Sequence, residues 1–158
     1  MAKIVKTNAM RYLEKNNIDH RVITYESDGF MDGVSIAEKL NQPVEKTFKT
    51  LVTVGKSKNH YVFVVPVAEE LNLKKAASVV GEKSIEMIPV KDINSITGYI
   101  RGGCSPIGMK KQVRTIVHIS ALEQGEIMFS AGRLGAQIEM APELLKELIN
   151  AEFEDIII

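Results

Sequence analysis

Four features of this chain have residue types and spacing that could do chemistry. The first is Lys49, set inside the apolar run TFKTLVTV (47–54). A two-residue repeat puts it on one face with Thr47, Leu51 and Thr53, while Phe48, Thr50, Val52 and Val54 turn the other way. A lysine so placed either lies at a sheet edge and snorkels to water, or holds its ammonium in a cleft against a carbonyl, carboxylate or phosphate oxygen. The second is GYIRGGCSPIGMKK (98–111), which gathers Gly98, Gly102, Gly103, Pro106 and Gly108. Backbone this permissive makes a tight loop with positive φ, or brings peptide N–H groups close enough to a ligand to hold an anion or a carbonyl oxygen. Its spacing fits neither GxGxxG nor GxxxxGK[ST], so a nucleotide-binding motif is not supported.

The third feature is SAGRLGAQIEM (130–140), a second glycine-bearing loop that reads as a hairpin between two strands. The fourth is the lone cysteine, Cys104. A thiol nucleophile needs a base or a positive neighbourhood, and Lys110 and Arg114 are near in sequence. His20, His60 and His118, however, fall in separate strand-like segments with no motif linking them to it. The reading that needs least is a small, packed hydrophobe. The histidines also lack metal-ligand spacing, so neither a metal nor a cofactor is expected. Lys110, Lys111 and Arg114, with Lys74 and Lys75, could meet phosphates or simply form a solvated face.

These groups must be positioned by recognisable elements. TNAMRYLEKNN (7–17) predicts a helix capped by Thr7 and closed at Asn16 or Asn17, with Ala9, Met10 and Leu13 on its buried face. HRVITYES (20–27) alternates as a strand, residues 27–33 form a loop, and SIAEKLN (35–41) forms a short helix. TFKTLVTV and HYVFVVPV (60–67) are a strand pair joined by GKSKN. LNLKKAASVV (71–80) predicts a helix ended by Gly81. SIEMI (84–88) is a short strand, and Pro89 opens a helical turn over 90–96. TIVHIS (115–120), EIMFSAG (126–132) and AQIEM (136–140) are strands. PELLKELIN (142–150) is the last helix, and FEDIII (153–158) could add a strand. Irregularly interspersed strands and helices indicate α+β rather than a regular βαβ succession.

Composition narrows the function. Twenty basic and twenty acidic residues cancel, which argues against avid, sequence-blind nucleic-acid binding. One cysteine excludes an internal disulfide framework. Apolar runs fall short of the ~18 residues of a membrane span, and the start lacks the apolar core of a secretory signal. The expectation is a soluble, cytoplasmic protein with no membrane partner.

Taken together, TYESD, FKTLV, VVPVAEELNLKKAASVVG, TGYIRGGCSPIGMKK and SAGRLGAQIEM, in this order, closely resemble the YbaK/EbsC family. Its members are trans-editing Cys-tRNA(Pro) deacylases related to the editing domain inserted in many bacterial prolyl-tRNA synthetases. The resemblance covers nearly the whole chain. It implies one α+β domain over residues 1–158, with a mixed, curled, barrel-like sheet flanked by helices. It also implies that Lys49 is the catalytic group and that the loop from Gly102 through Gly103, Cys104 and Ser105 to Pro106 holds the aminoacyl end. Tyr25, Thr50, Ser130, Gly132 and Gln137 match further substrate-binding positions. Ala131 replaces a glycine of the family's turn, and Gln137 stands where some relatives carry aspartate.

The implied activity is clearance of mischarged Cys-tRNA(Pro), with Cys-tRNA(Cys) as a further substrate and prolyl-tRNA synthetase as a partner. In the family the substrate's own thiol is thought to attack its carbonyl, expelling the tRNA and leaving a thiolactone. The lack of a Cys/His or Ser/His arrangement here agrees with that, and makes Cys104 a bystander to the chemistry. Two alternatives stand beside it. One is direct hydrolysis of another misacylated tRNA, such as Ala-tRNA(Pro); the other is a regulatory binding module without catalysis.

Overall fold

The segment His60–Pro66 is apolar at consecutive positions instead of alternating, because it is covered on both faces. That is the pattern of a central strand. In the computed structural model, which describes residues 5–27 and 29–158, this strand (β3) is the middle of a five-stranded sheet. The order is β4 (Ile85–Met87), β2 (Phe48–Gly55), β3, β5 (Arg114–His118) and β8 (Glu152–Glu154). β2 runs antiparallel to β3 and β4, while β5 is parallel to β3 and β8 parallel to β5. A second sheet is antiparallel throughout, with β7 (Ala136–Met140) between β1 (Arg21–Thr24) and β6 (Ile127–Ser130).

The fold is therefore α+β. The expected curled, barrel-like sheet is replaced by two open sheets whose backbones are joined, among the described residues, by one parallel bridge, Thr47 to Met128. Between the sheets lies the larger core. Phe48, Val52, Val62 and Val64 from one sheet meet Ile127, Phe129, Ile138 and Met140 from the other, closed by Leu13 and Leu145. The outer face of the large sheet, with Tyr61, Phe63 and Val65, packs on Ala76, Ala77 and Val80 of a helix.

The helices begin and end where their caps dictate. In α1 (Asn8–Lys15) the Thr7 hydroxyl accepts from the Met10 N–H, and Ala9, Met10 and Leu13 face the core. α2 (Gly33–Lys39) starts with Asp32 accepting from the Ser35 N–H. α3 (Leu73–Val80) has Asn72 accepting from the N–H groups of Lys74 and Lys75, and ends in left-handed Gly81. α4 (Ile93–Thr97) ends in left-handed Gly98, and α5 (Leu144–Ile149) in left-handed Asn150. Each cap supplies partners for orphan groups that a helix end leaves open.

Several elements are shorter than the pattern suggests. The strand expected over 20–27 ends at Thr24, since β7 offers partners only from Ala136 to Glu139. Asp28, the last residue of TYESD, lies outside the described residues. After His118 the chain turns into a 3-10 helix, Ile119–Glu123, instead of continuing the strand. FEDIII contributes to the strand only up to Glu154, and Ile157 makes a single bridge to Leu71.

Candidate functional site

β2 is shared between neighbours that diverge. At its start, Thr47 bridges β6; at its end, Thr53–Gly55 pair with β4, and Ile88 donates to the Val52 carbonyl. Between these points, among the described residues, no strand pairs with β2 on that side. In an antiparallel ladder, alternate residues turn their N–H and C=O away from a given partner. Thr47 accepts from Val67, and Gly55 donates to Asn59. By that alternation the odd-numbered residues bond to β3, the bridge to Met128 occupies the edge beside Phe48, and the peptide groups of Thr50 turn toward the open edge.

A cavity of about 460 Å³ opens at this edge, lined by every residue from Thr47 to Val52. Consecutive strand residues point to opposite faces, so Lys49 and Thr50 can both line one space only because the space wraps the strand's free side. Most of the remaining wall is apolar, with Met31, Ile36, Val67, Met87, Ile88 and Ile93 among it. Gly33, at the start of α2, lies so close to Val67 that a Cβ there would stand 2.2 Å from its Cγ1. The polar contributions are few: Thr47, Lys49, Thr50, Cys104, Ser130 and Gln137, with Asp32 and Arg101.

Lys49 is half-buried and makes no ion pair among the described residues. The Thr50 hydroxyl is buried without a hydrogen-bond partner. Buried polar groups are nearly always satisfied, so an orphan on a residue that lines a cavity stands out beside it. Gln137 is buried on β7, opposite Ser130 of β6 in the ladder. The Ser130 hydroxyl accepts from the Gly132 N–H. One large sheet and one small sheet therefore contribute to the same space.

Just beyond Gln137, Glu139 is fully buried on the same strand face and is paired with both Lys46 and Arg21. Lys46 precedes β2 and Glu139 lies in β7, so this ion pair ties the two sheets together beside the cavity. The sequence offered no clue to it, because partners 93 residues apart meet only through the fold.

The sequence-derived residues divide by position. Lys49, Thr50, Gly102, Cys104, Ser130 and Gln137 line the cavity. Tyr25, Gly103, Ser105, Pro106 and Gly132 are not on its wall. Tyr25 donates its N–H to the Gly135 carbonyl. Gly103 packs against the second glycine loop, where a Cβ would lie 3.0 Å from the Arg133 Cα. Ser105 is buried, and the Pro106 carbonyl accepts from the Gln112 amide. Gly132, at φ +102, leaves room for the Tyr99 ring and for Thr7. Much of the glycine content thus lets backbone segments pack on one another. Phe30, Met31, Arg101 and the apolar residues of 87–93 were missed, since nothing in their local sequence marks a wall.

Cys104 is buried, and burial pushes its thiol up to about 11. A thiol held neutral at physiological pH is a poor nucleophile. The histidines serve elsewhere. The His118 ring accepts from the Ser120 N–H, capping the 3-10 helix, and approaches the Ser120 hydroxyl at 2.8 Å and Asp155 at 3.4 Å. His20 bonds to the Ile18 carbonyl. Neither lines the cavity.

The chain is similar to known proteins along most of its length. Residues 31–148 match the model of the aminoacyl-tRNA editing domain. A protein of Enterococcus faecalis, EbsC, named as a candidate Cys-tRNA(Pro)/Cys-tRNA(Cys) deacylase, is 45% identical over 152 residues, which are 96% of this chain and 93% of that protein. A proline–tRNA ligase of Thermosipho africanus is 33% identical over 76 residues, 48% of this chain but 13% of the ligase. The crystal structure of a candidate trans-editing enzyme for prolyl-tRNA synthetase superposes with a TM-score of 0.85 at 23% identity, covering 98% of this chain and 99% of the other. That last likeness is one of fold.

Proposed function

The chain belongs to the aminoacyl-tRNA editing domain family, and from that premise we propose that it is a deacylase for Cys-tRNA(Pro) and Cys-tRNA(Cys). The observation that carries the reading is the open edge of β2, which brings Lys49 and Thr50 to one cavity, the Thr50 hydroxyl lying just behind its wall without a hydrogen-bond partner. The substrate is an activated ester, so the catalyst's task is to position it and to stabilise an oxyanion. Lys49 is the cation for that charge. The Thr50 peptide groups turned to the open edge supply hydrogen bonds, and a small rotation of its orphaned hydroxyl would add another. Gly102, Cys104, Ser130 and Gln137 shape the opposite side.

The nucleophile in this reading is the substrate's own sulfur. Its attack forms the S–C bond of a thiolactone, breaks the ester C–O bond, and leaves the electron pair and a proton on the tRNA 3′ oxygen. An intramolecular thiol already has a high effective concentration at its carbonyl, so the protein need only hold the bent conformer. Cys104, buried and neutral, takes no part. Editing is needed because a synthetase pocket rejects a similarly sized amino acid by only ~1–3 kcal/mol. A prolyl-tRNA synthetase is the partner that would present the tRNA, since a net charge of zero leaves little intrinsic attraction.

The test is release of amino acid from Cys-tRNA(Pro), Cys-tRNA(Cys), Ala-tRNA(Pro) and S-alkylated Cys-tRNA(Pro). Fast release from the free-thiol esters and slow release from the other two is expected. Equal rates on the alkylated substrate would rule out the substrate thiol, and preferential release of alanine would point to direct hydrolysis.

A further inference from the structure

At the cavity mouth, Phe30 and Arg101 form a stacked pair. Phe30 precedes α2 and is 57% exposed, and the Arg101 guanidinium carbon sits 4.5 Å from its ring centroid. Both residues line the cavity. The ring has a built seat: a Cβ on Gly102 would lie 2.9 Å from Phe30 Cδ2 and 3.0 Å from Leu134 Cδ2. Gly102 also has φ +80, which other residues rarely adopt. The glycine therefore lets a large apolar ring settle at an opening where solvent would otherwise meet the loop.

A guanidinium over an aromatic ring presents a second planar face and a fan of N–H donors outward. This is the chemistry that receives unpaired nucleobases and the phosphates between them. With an aminoacyl ester seated at Lys49, a nucleotide chain leaving the cavity on this exposed side meets both residues.

We propose that Phe30 and Arg101 clamp the single-stranded 3′ end of the tRNA, at the nucleotide next to the esterified one, by stacking its base and contacting its phosphate. This rests on the deacylase reading. It makes the mouth, more than the overall charge of the protein, the place where nucleic acid is held.

The experiment uses two analogues that cannot be cleaved. One is cysteine joined by an amide to 3′-amino-3′-deoxyadenosine; the other is the same group ending the trinucleotide CCA. Affinities of the parent, Arg101→Ala and Arg101→Lys for each are measured by calorimetry, with thermal unfolding as a check on the fold. The parent should bind the trinucleotide about tenfold more tightly, the gain from one stacked base. Arg101→Ala should bring the two affinities within about twofold, and Arg101→Lys, which keeps the charge without the plane, should recover only part of the gain. Absence of a trinucleotide gain in the parent, a gain that survives Arg101→Ala, or full recovery in Arg101→Lys overturns the clamp. Cleavage of Cys-tRNA(Pro) by the parent, followed separately, reports on the deacylase reading, so the two ideas fail by different results.

Discussion

Replacing Lys49 by methionine separates its charge from its packing. The lysine is half-buried on β2, beside Leu51 on one strand face, and makes no ion pair among the described residues. Methionine keeps an apolar stem of similar length, so the strand should hold its place and stability should change by no more than about 1 kcal/mol. The ammonium has a different weight. If it faces the developing oxyanion in a cavity walled mostly by apolar side chains, its loss costs about 2–4 kcal/mol in the transition state. At 1.36 kcal/mol per factor of ten, that is a fall of roughly 30- to 900-fold in the rate of deacylation. The assay is single-turnover release of cysteine from Cys-tRNA(Pro), run beside urea unfolding of both proteins. A folded Lys49→Met variant within threefold of the parent would refute the reasoning, and Lys49 would then be a snorkelling edge residue.

Other expectations follow from particular contacts. In Gly108→Ala, left-handed φ (+69) and a Cβ 2.7 Å from the Ala9 nitrogen and the Asn8 carbonyl carbon both oppose the change. It should lose at least about 3 kcal/mol in urea unfolding, against about 1–2 kcal/mol for Gly102→Ala, whose obstacles are side-chain ends; equal losses would contradict this. Cys104→Ser should keep most of the activity, and native Cys104 should resist iodoacetamide at pH 8, whereas rapid native-state labelling would argue for an accessible thiolate. Because the folded thiol is pushed from 9 to about 11, the folded state holds that proton more tightly than the unfolded chain. This contribution, about 2–3 kcal/mol, is present below pH 9 and lost as pH rises through about 11, so Cys104→Ala should flatten the stability profile there. Glu139→Gln removes a buried partner from Lys46, whose side chain is only 19% exposed. Unfolding should show a loss of about 2–4 kcal/mol, partly recovered by adding Lys46→Met; no recovery would mean that the pair does not join the sheets.

The local elements were legible in the sequence because local chemistry sets them. Thr7, Asn72 and Gly81 cap or end their helices as their side chains and φ preferences require, and the unbroken apolar run of β3 already marks a strand covered on both faces. Lys49 stood out because a charge inside an apolar strand must have a reason, and the order of the five segments pointed to an editing family. What the alternation in β2 could not give is its unpaired edge. That edge exists because β6 meets the strand only at Thr47 and β4 only from Thr53 onward, which are pairings between segments far apart in the chain. The cavity depends on that divergence, and the Phe30–Arg101 pair on two loops far apart in the chain coming together. The glycines show the same limit. Their sequence reports freedom of φ, but only the packed structure decides whether that freedom admits a ligand, as a loop beside a cavity, or another stretch of the same backbone, as at Gly108 against α1.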